Sequence, residues 1–146
     1  MPSYEASTVT RASAEAAWRA WTDVERWSRY DHIESAQIDG EFRVGALITT
    51  KAKGFPSSKL TVTQAERPRL WVDEARSPGM RMLFDHVAET AEGGTQLTER
   101  VRVSGPLARV FGPLLRRRLE VMFAKSVAAV ARDAEAAEAA PGPPAP

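Results

Sequence analysis

The sequence predicts an α+β domain: a curved antiparallel sheet of seven strands, one long C-terminal helix against it, and two short helices between the first and second strands. Three observations predict it. Between Ile33 and Ser104, turn-forming residues recur every 8–14 residues or so, as short hairpin connections require. From Leu107 onward, apolar residues recur at helical spacing. Between Ala14 and Val24, the residues Ala17, Trp18, Trp21 and Val24 sit at three-and-four spacing.

The elements follow in order. Ser3 to Arg11 alternates β-branched and polar residues and reads as a strand. Ser13 supplies an N-cap and Glu15 an acid in the first turn, so a helix starts at Ala14 and carries Ala17, Trp18, Trp21 and Val24 on one face. A second short helical segment, Glu25 to Tyr30, adds Trp27 and Tyr30. Asp39-Gly40, Gly45, Gly54-Phe55-Pro56, Arg67-Pro68, Ser77-Pro78-Gly79 and Glu92-Gly93-Gly94 then punctuate strands at about 34–39, 44–53, 58–66, 69–76, 80–90 and 95–104. After Gly105-Pro106, one stripe runs through Leu107, Val110, Phe111, Leu114, Leu115, Leu119, Met122, Phe123, Ser126, Val127 and Val130 to about Ala139. Pro113 should start a turn or kink the early part of that helix. Residues 1–139 thus read as a single domain, and the PGPPAP end, within 140–146, reads as a disordered Pro-rich tail.

Composition narrows the function. Of 146 residues, 43% are hydrophobic and 27% charged, as in an ordinary soluble domain. There is no cysteine, which excludes disulfides, thiolate metal sites and cysteine nucleophiles. Twenty basic residues against 19 acidic ones give a net charge of +1, which argues against a nucleic-acid partner. No run suits a membrane span or a signal peptide, so no stable membrane insertion and a cytoplasmic location are expected. Arg116-Arg117-Arg118 reads as the solvated face of the long helix rather than a phosphate or lipid site.

Layer geometry then implies a cavity. One helix is too narrow to cover a seven-stranded curved face, and the two short helices can plug only one end of it. Strand parity places Met80, Met82, Phe84, His86 and Ala88 on the inward face of the sixth strand, and Leu97, Glu99, Val101 and Val103 on that of the seventh. The Ala91–Gly94 turn pairs Thr90 with Thr95, which sets His86 against Glu99 and Phe84 against Val101. A two-residue Pro78-Gly79 turn would put Trp71, Asp73 and Ala75 inward with Trp71 opposite His86. A three-residue turn would instead put Leu70, Val72 and Glu74 inward.

A carboxylate beside an imidazole favours the imidazolium and can act as a general acid–base pair. His86 and Glu99 are therefore the candidate catalytic residues. Ligand orientation and a purely structural buried pair are the alternatives. His32 reads as a loop histidine near the cavity mouth. With two histidines and no metal-binding spacing, no metal and no other cofactor are expected.

The segments ASAEAAWRAWTDVERWSRY, Asp39 to Gly45 (DGEFRVG), LTVTQAERPRLWVDEARSPG, His86 in its strand, GGTQLTERVRVSGPL and the long final helix resemble the SRPBCC superfamily. The likeness covers about residues 3–136 and is to the polyketide cyclase/dehydrase-like branch of the START-like helix-grip fold. It implies an internal cavity for a small hydrophobic, lipid-like or aromatic molecule. The expected wall residues are Trp71, Met82, Phe84, Val101, Leu115, Leu119, Met122 and Phe123. A cofactor-independent polyketide cyclase/aromatase or dehydratase using His86 with Glu99 is the alternative. Either could be a monomer or a homodimer.

Overall fold

A computed structural model describes residues 2–139. The expected tail, 140–146, lies outside them. The order of elements is β1 (Ser3–Thr10), α1 (Ala14–Thr22), a 3₁₀ segment (Val24–Arg29), β2 (Ile33–Asp39), β3 (Leu47–Ala52), β4 (Ser58–Glu66), β5 (Leu70–Ser77), β6 (Met80–Ala91), β7 (Gly94–Ser104) and α2 (Ala108–Ala139). The seven strands form one antiparallel sheet in the order β1-β7-β6-β5-β4-β3-β2. This is the helix-grip arrangement. The strand expected at 44–53 is shorter, because Arg43 to Gly45 form the turn that leads into it.

Local chemistry sets the registers. Gly79, at φ +79, makes the two-residue turn that pairs Ser77 with Met80, and hence Trp71 with His86. A bulge after Val62 leaves Thr63 unpaired and moves the inward set of β4 from Leu60 and Val62 to Ala65. Along β7 the burial alternates without a break, so Thr95, Leu97, Glu99, Val101 and Val103 all face the core.

Two apolar clusters fill the concave side. One gathers Trp18, Trp21, Val24, Ile48, Val62, Trp71, Leu97, Val127 and Val130 beneath the short helices. The other holds Val101, Val103, Ala108, Leu119 and Phe123, with Phe55 reaching in from the β3–β4 turn. Phe84 touches both.

The helix α2 packs on β1 and β7, at one edge of the sheet. Gly112 permits that approach, since a Cβ there would lie 2.8 Å from the Tyr4 hydroxyl. Its C-terminal half is clasped by polar contacts: the Thr10 hydroxyl donates to Glu135 at 2.6 Å, the Ser13 amide to Glu138 at 2.6 Å, and the Tyr30 hydroxyl to Asp133 at 2.7 Å. The N-terminal turns differ from the expected stripe. Leu107, Val110, Phe111 and Leu114 are exposed, Leu114 at 71%. The eleven residues of that stripe span more than half the helix circumference, and a helix resting on one edge of a sheet buries only one side. Pro113 interrupts nothing, for the helix runs continuously through it.

Candidate functional site

The sheet brings one polar row together. Trp71 on β5, His86 on β6 and Glu99 on β7 are direct cross-strand partners on the concave face, as the turn lengths require. The next row is Asp73, Phe84 and Val101. Covering elements complete the site. The Trp21 indole N–H of α1 donates to Glu99 Oε1 at 2.8 Å, and the Ser126 hydroxyl of α2 donates to the same oxygen at 2.6 Å.

His86 and Glu99 are neighbours, yet they are not an ion pair. The Glu99 carboxyl is held by Trp21 and Ser126, and His86 Nδ1 lies 3.3 Å from the Trp71 carbonyl oxygen. Burial raises Glu99 to about 7, against smaller lowering effects of the Ser126 and Trp21 hydrogen bonds. Burial also lowers His86 to about 3, although the Trp71 carbonyl and Asp85 oppose it. The expectation of an imidazolium is thus corrected. Desolvation disfavours both charged forms more than the neighbours stabilise either one. No catalytic His86–Glu99 dyad is evident, since the two side chains bond to other partners.

With Nδ1–H donated to the Trp71 carbonyl, the neutral tautomer leaves Nε2 as an acceptor. The imidazole lies flat on the Trp71 indole, with centroids 3.5 Å apart and planes within 1°, and the Trp21 ring meets it edge-on at 5.7 Å. A neutral ring stacks this way without giving up solvation of a charge.

Asp73, paired with Phe84, also faces inward from β5. It is 1% exposed, and neither carboxylate oxygen has a hydrogen-bond partner. The Trp71 indole Nε1, two residues away on the same face, is also buried without a partner. Burial pushes the Asp73 carboxyl well above its ordinary range, and the nearby Glu99 adds to the rise. A buried polar group in this state costs about 1–3 kcal/mol, so it signals either strain or use.

The expected wall residues divide in two. Trp71, Val101, Leu119 and Phe123 are fully packed. Met82, Phe84, Leu115 and Met122 are half-buried, as is His86, although all three β6 residues point into the concave face. An inward side chain that stays accessible borders open space. Two other clefts lie elsewhere. One of about 250 Å³ is lined by Arg26, Arg29, Tyr30, Asp31, Ala129, Arg132 and Asp133. The other, of about 410 Å³, lies on the convex face over Leu47, Lys59, Thr61, Thr63, Glu74 and Arg76. Both are open to solvent and lined mainly by charged or polar side chains, which suits water better than an apolar guest.

His32 sits in the turn before β2, buried and stacked on Tyr30, and burial lowers its pKa. Among the described residues, no group of three potential metal ligands comes together, and no helix is long and apolar enough to cross a membrane. Arg116 pairs with Glu120 and lies over the Tyr4 ring, while Arg117 and Arg118 are exposed.

Comparison with known proteins fits this geometry. The family model described as polyketide cyclase / dehydrase and lipid transport matches residues 1–135. No curated protein matches the chain. Among solved structures, the di-domain ARO/CYC StfQ from the steffimycin biosynthetic pathway superimposes with a TM-score of 0.77 at 10% identity, covering 94% of this chain and 52% of that one. The chain therefore spans about half the length of that di-domain protein. An aromatase/cyclase from Streptomyces gives 0.67 at 18% identity, covering 95% and 97%. Norcoclaurine synthase from Thalictrum flavum gives 0.72 at 12%, covering 90% and 84%. At these identities the likeness is one of fold.

Proposed function

The chain belongs to the polyketide cyclase/dehydrase and lipid transport family, and from that premise we propose that it holds a small hydrophobic molecule, lipid-like or aromatic, in the groove between the concave sheet and α2. One observation carries this reading: Met82, Phe84 and His86 point inward from β6 and remain half-exposed, whereas the inward residues of neighbouring β7 are covered. Such a groove follows from the packing of α2 on β1 and β7, which leaves the middle of the sheet to be covered from its ends. Phe84, Met82, Leu115 and Met122 form the accessible wall over a floor of Trp71, Val101, Leu119 and Phe123. His86 and Glu99 supply the polar end, as binding rather than catalytic groups.

Apolar walls with a few convergent polar atoms are what a small-molecule site needs. The near-balanced charge supports a protein without a nucleic-acid partner, and the cysteine-free chain suits the cytoplasm. A monomer or homodimer would serve this function equally.

Native mass spectrometry of freshly purified protein, followed by organic extraction, tests the reading. A co-purifying small molecule released by extraction is expected. A clean apo mass together with no saturable uptake of naphthylethanol would overturn it.

A further inference from the structure

The interior is acidic and contains no cation. Every lysine and arginine among the described residues is exposed or only half-buried. The half-buried ones stand beside acids: Arg26 with Asp23 and Asp133, Lys51 with Glu34, and Arg100 and Arg102 with Asp85. None of these lies among the inward residues of β5, β6 and β7. Those strands turn Asp73, His86 and Glu99 inward, and α2 faces them with Ser126.

Each of these groups can accept a hydrogen bond. The Glu99 Oε1 atom is bonded to Trp21 and Ser126, and no protein donor reaches its Oε2 among the described residues. His86 carries its proton on the nitrogen facing Trp71, so its other nitrogen offers a lone pair. Independently, one row away, Asp73 is buried with both oxygens unpartnered. Trp21 turns its indole N–H edge to Glu99, and the His86 ring covers the Trp71 face.

From this arrangement we infer that the polar end of the groove recognises a protonated amine on an otherwise apolar or aromatic ligand. The inference rests on the groove reading above and names its ligand class. An ammonium would donate to Glu99 Oε2 and His86 Nε2 and feel Asp73 from the adjoining row. Its charge would also favour the carboxylate forms that burial disfavours. A carboxylate or phosphate head group would find no cation and two acids in its place. A fatty acid is therefore a poor occupant, despite the apolar walls.

Isothermal titration calorimetry at pH 7 with naphthylethylamine, naphthylethanol and naphthylacetic acid separates the possibilities. The three probes share a ring and differ in head group. The amine is expected to bind about tenfold tighter than the acid, a difference of about 1.4 kcal/mol. That preference, read as the ratio of amine to acid affinity within each variant, should shrink in Asp73→Asn and in Glu99→Gln. If one variant fails to fold, the other and the wild-type comparison still decide. Equal or tighter binding of the acid would overturn the inference and leave the groove intact. So would an amine preference that both variants keep. Failure of all three probes to bind would overturn the groove reading itself, and this inference with it.

Discussion

Asp73 and Asp85 are buried acids on neighbouring strands, 1% and 3% exposed, and they face opposite sides of the same sheet. On the convex side, Asp85 accepts a bidentate pair from Arg102 at 2.7 and 2.8 Å and a third bond from Arg100 at 3.0 Å. Those bonds outweigh burial and hold its carboxyl below the ordinary range. On the concave side, Asp73 has no partner and its carboxyl is raised. The same residue type at nearly the same depth is satisfied on one face and orphaned on the other. Folding alone accounts for Asp85. For Asp73, the energy left unrecovered on the face that borders the groove points to a guest.

Removing Asp85 should have the largest effect. Asp85→Ala leaves two arginines facing a buried hole and is expected to cost about 3 kcal/mol in urea unfolding, at the low end for a broken pair because both arginines are half-exposed. Loss of less than about 1 kcal/mol would make the two aspartates equivalent and break the contrast.

A pH series sharpens it from the opposite direction. The folded-state value of Glu99 is raised, so between about pH 4.5 and 7 the folded protein keeps a proton that the unfolded chain has released. Stability present at the acid end is lost as pH rises through that window. Relative to Glu99→Gln, the wild type should lose roughly 2 kcal/mol from pH 4.5 to 7. The comparison must be made against the variant. His86, kept neutral down to about pH 3, contributes the opposite slope up to its ordinary value of 6.5 and flattens the raw curve. For Asp85 the sign reverses. Its contribution is complete above the unfolded value of 3.8 and is lost as pH falls below it.

Asp73→Val is expected to stabilise the apo protein by about 1–2 kcal/mol, since it removes an unsatisfied carboxyl from an apolar wall. It should weaken amine binding at the same time. Destabilisation by the same amount would mean that Asp73 is satisfied in the folded state. The smallest effect is reserved for Arg100→Ala. Arg102 keeps its bidentate contact, so the loss should stay under about 1 kcal/mol by thermal or urea unfolding.

Much of this contrast was legible in the chain. The Ala91–Gly94 turn set His86 against Glu99, whereas the Pro78-Gly79 turn left two registers for β5, of which the structure adopts the one pairing Trp71 with His86. The same open choice decided whether Asp73 or Val72 faces inward, and the structure turns Asp73 in. The partners of Glu99 could not be read. Trp21 and Ser126 lie 78 and 27 residues away, on helices whose rotation over the sheet is a tertiary property. Without those partners, proximity suggested an ion pair where burial disfavours the charged form of both groups. Leu114 failed for a related reason. Periodicity shows that a helix has an apolar side, but the breadth of the surface covering it depends on where the helix lands.

The central claim is that the concave groove admits a small apolar molecule, and methionine methyl NMR tests it most directly. Met82 and Met122 border the groove from β6 and α2. With methyl-labelled methionine and a naphthylethanol titration, their two signals should shift together and saturate, with a single dissociation constant shared with calorimetry. Signals at Met82 and Met122 that stay unmoved at saturating probe would contradict the account.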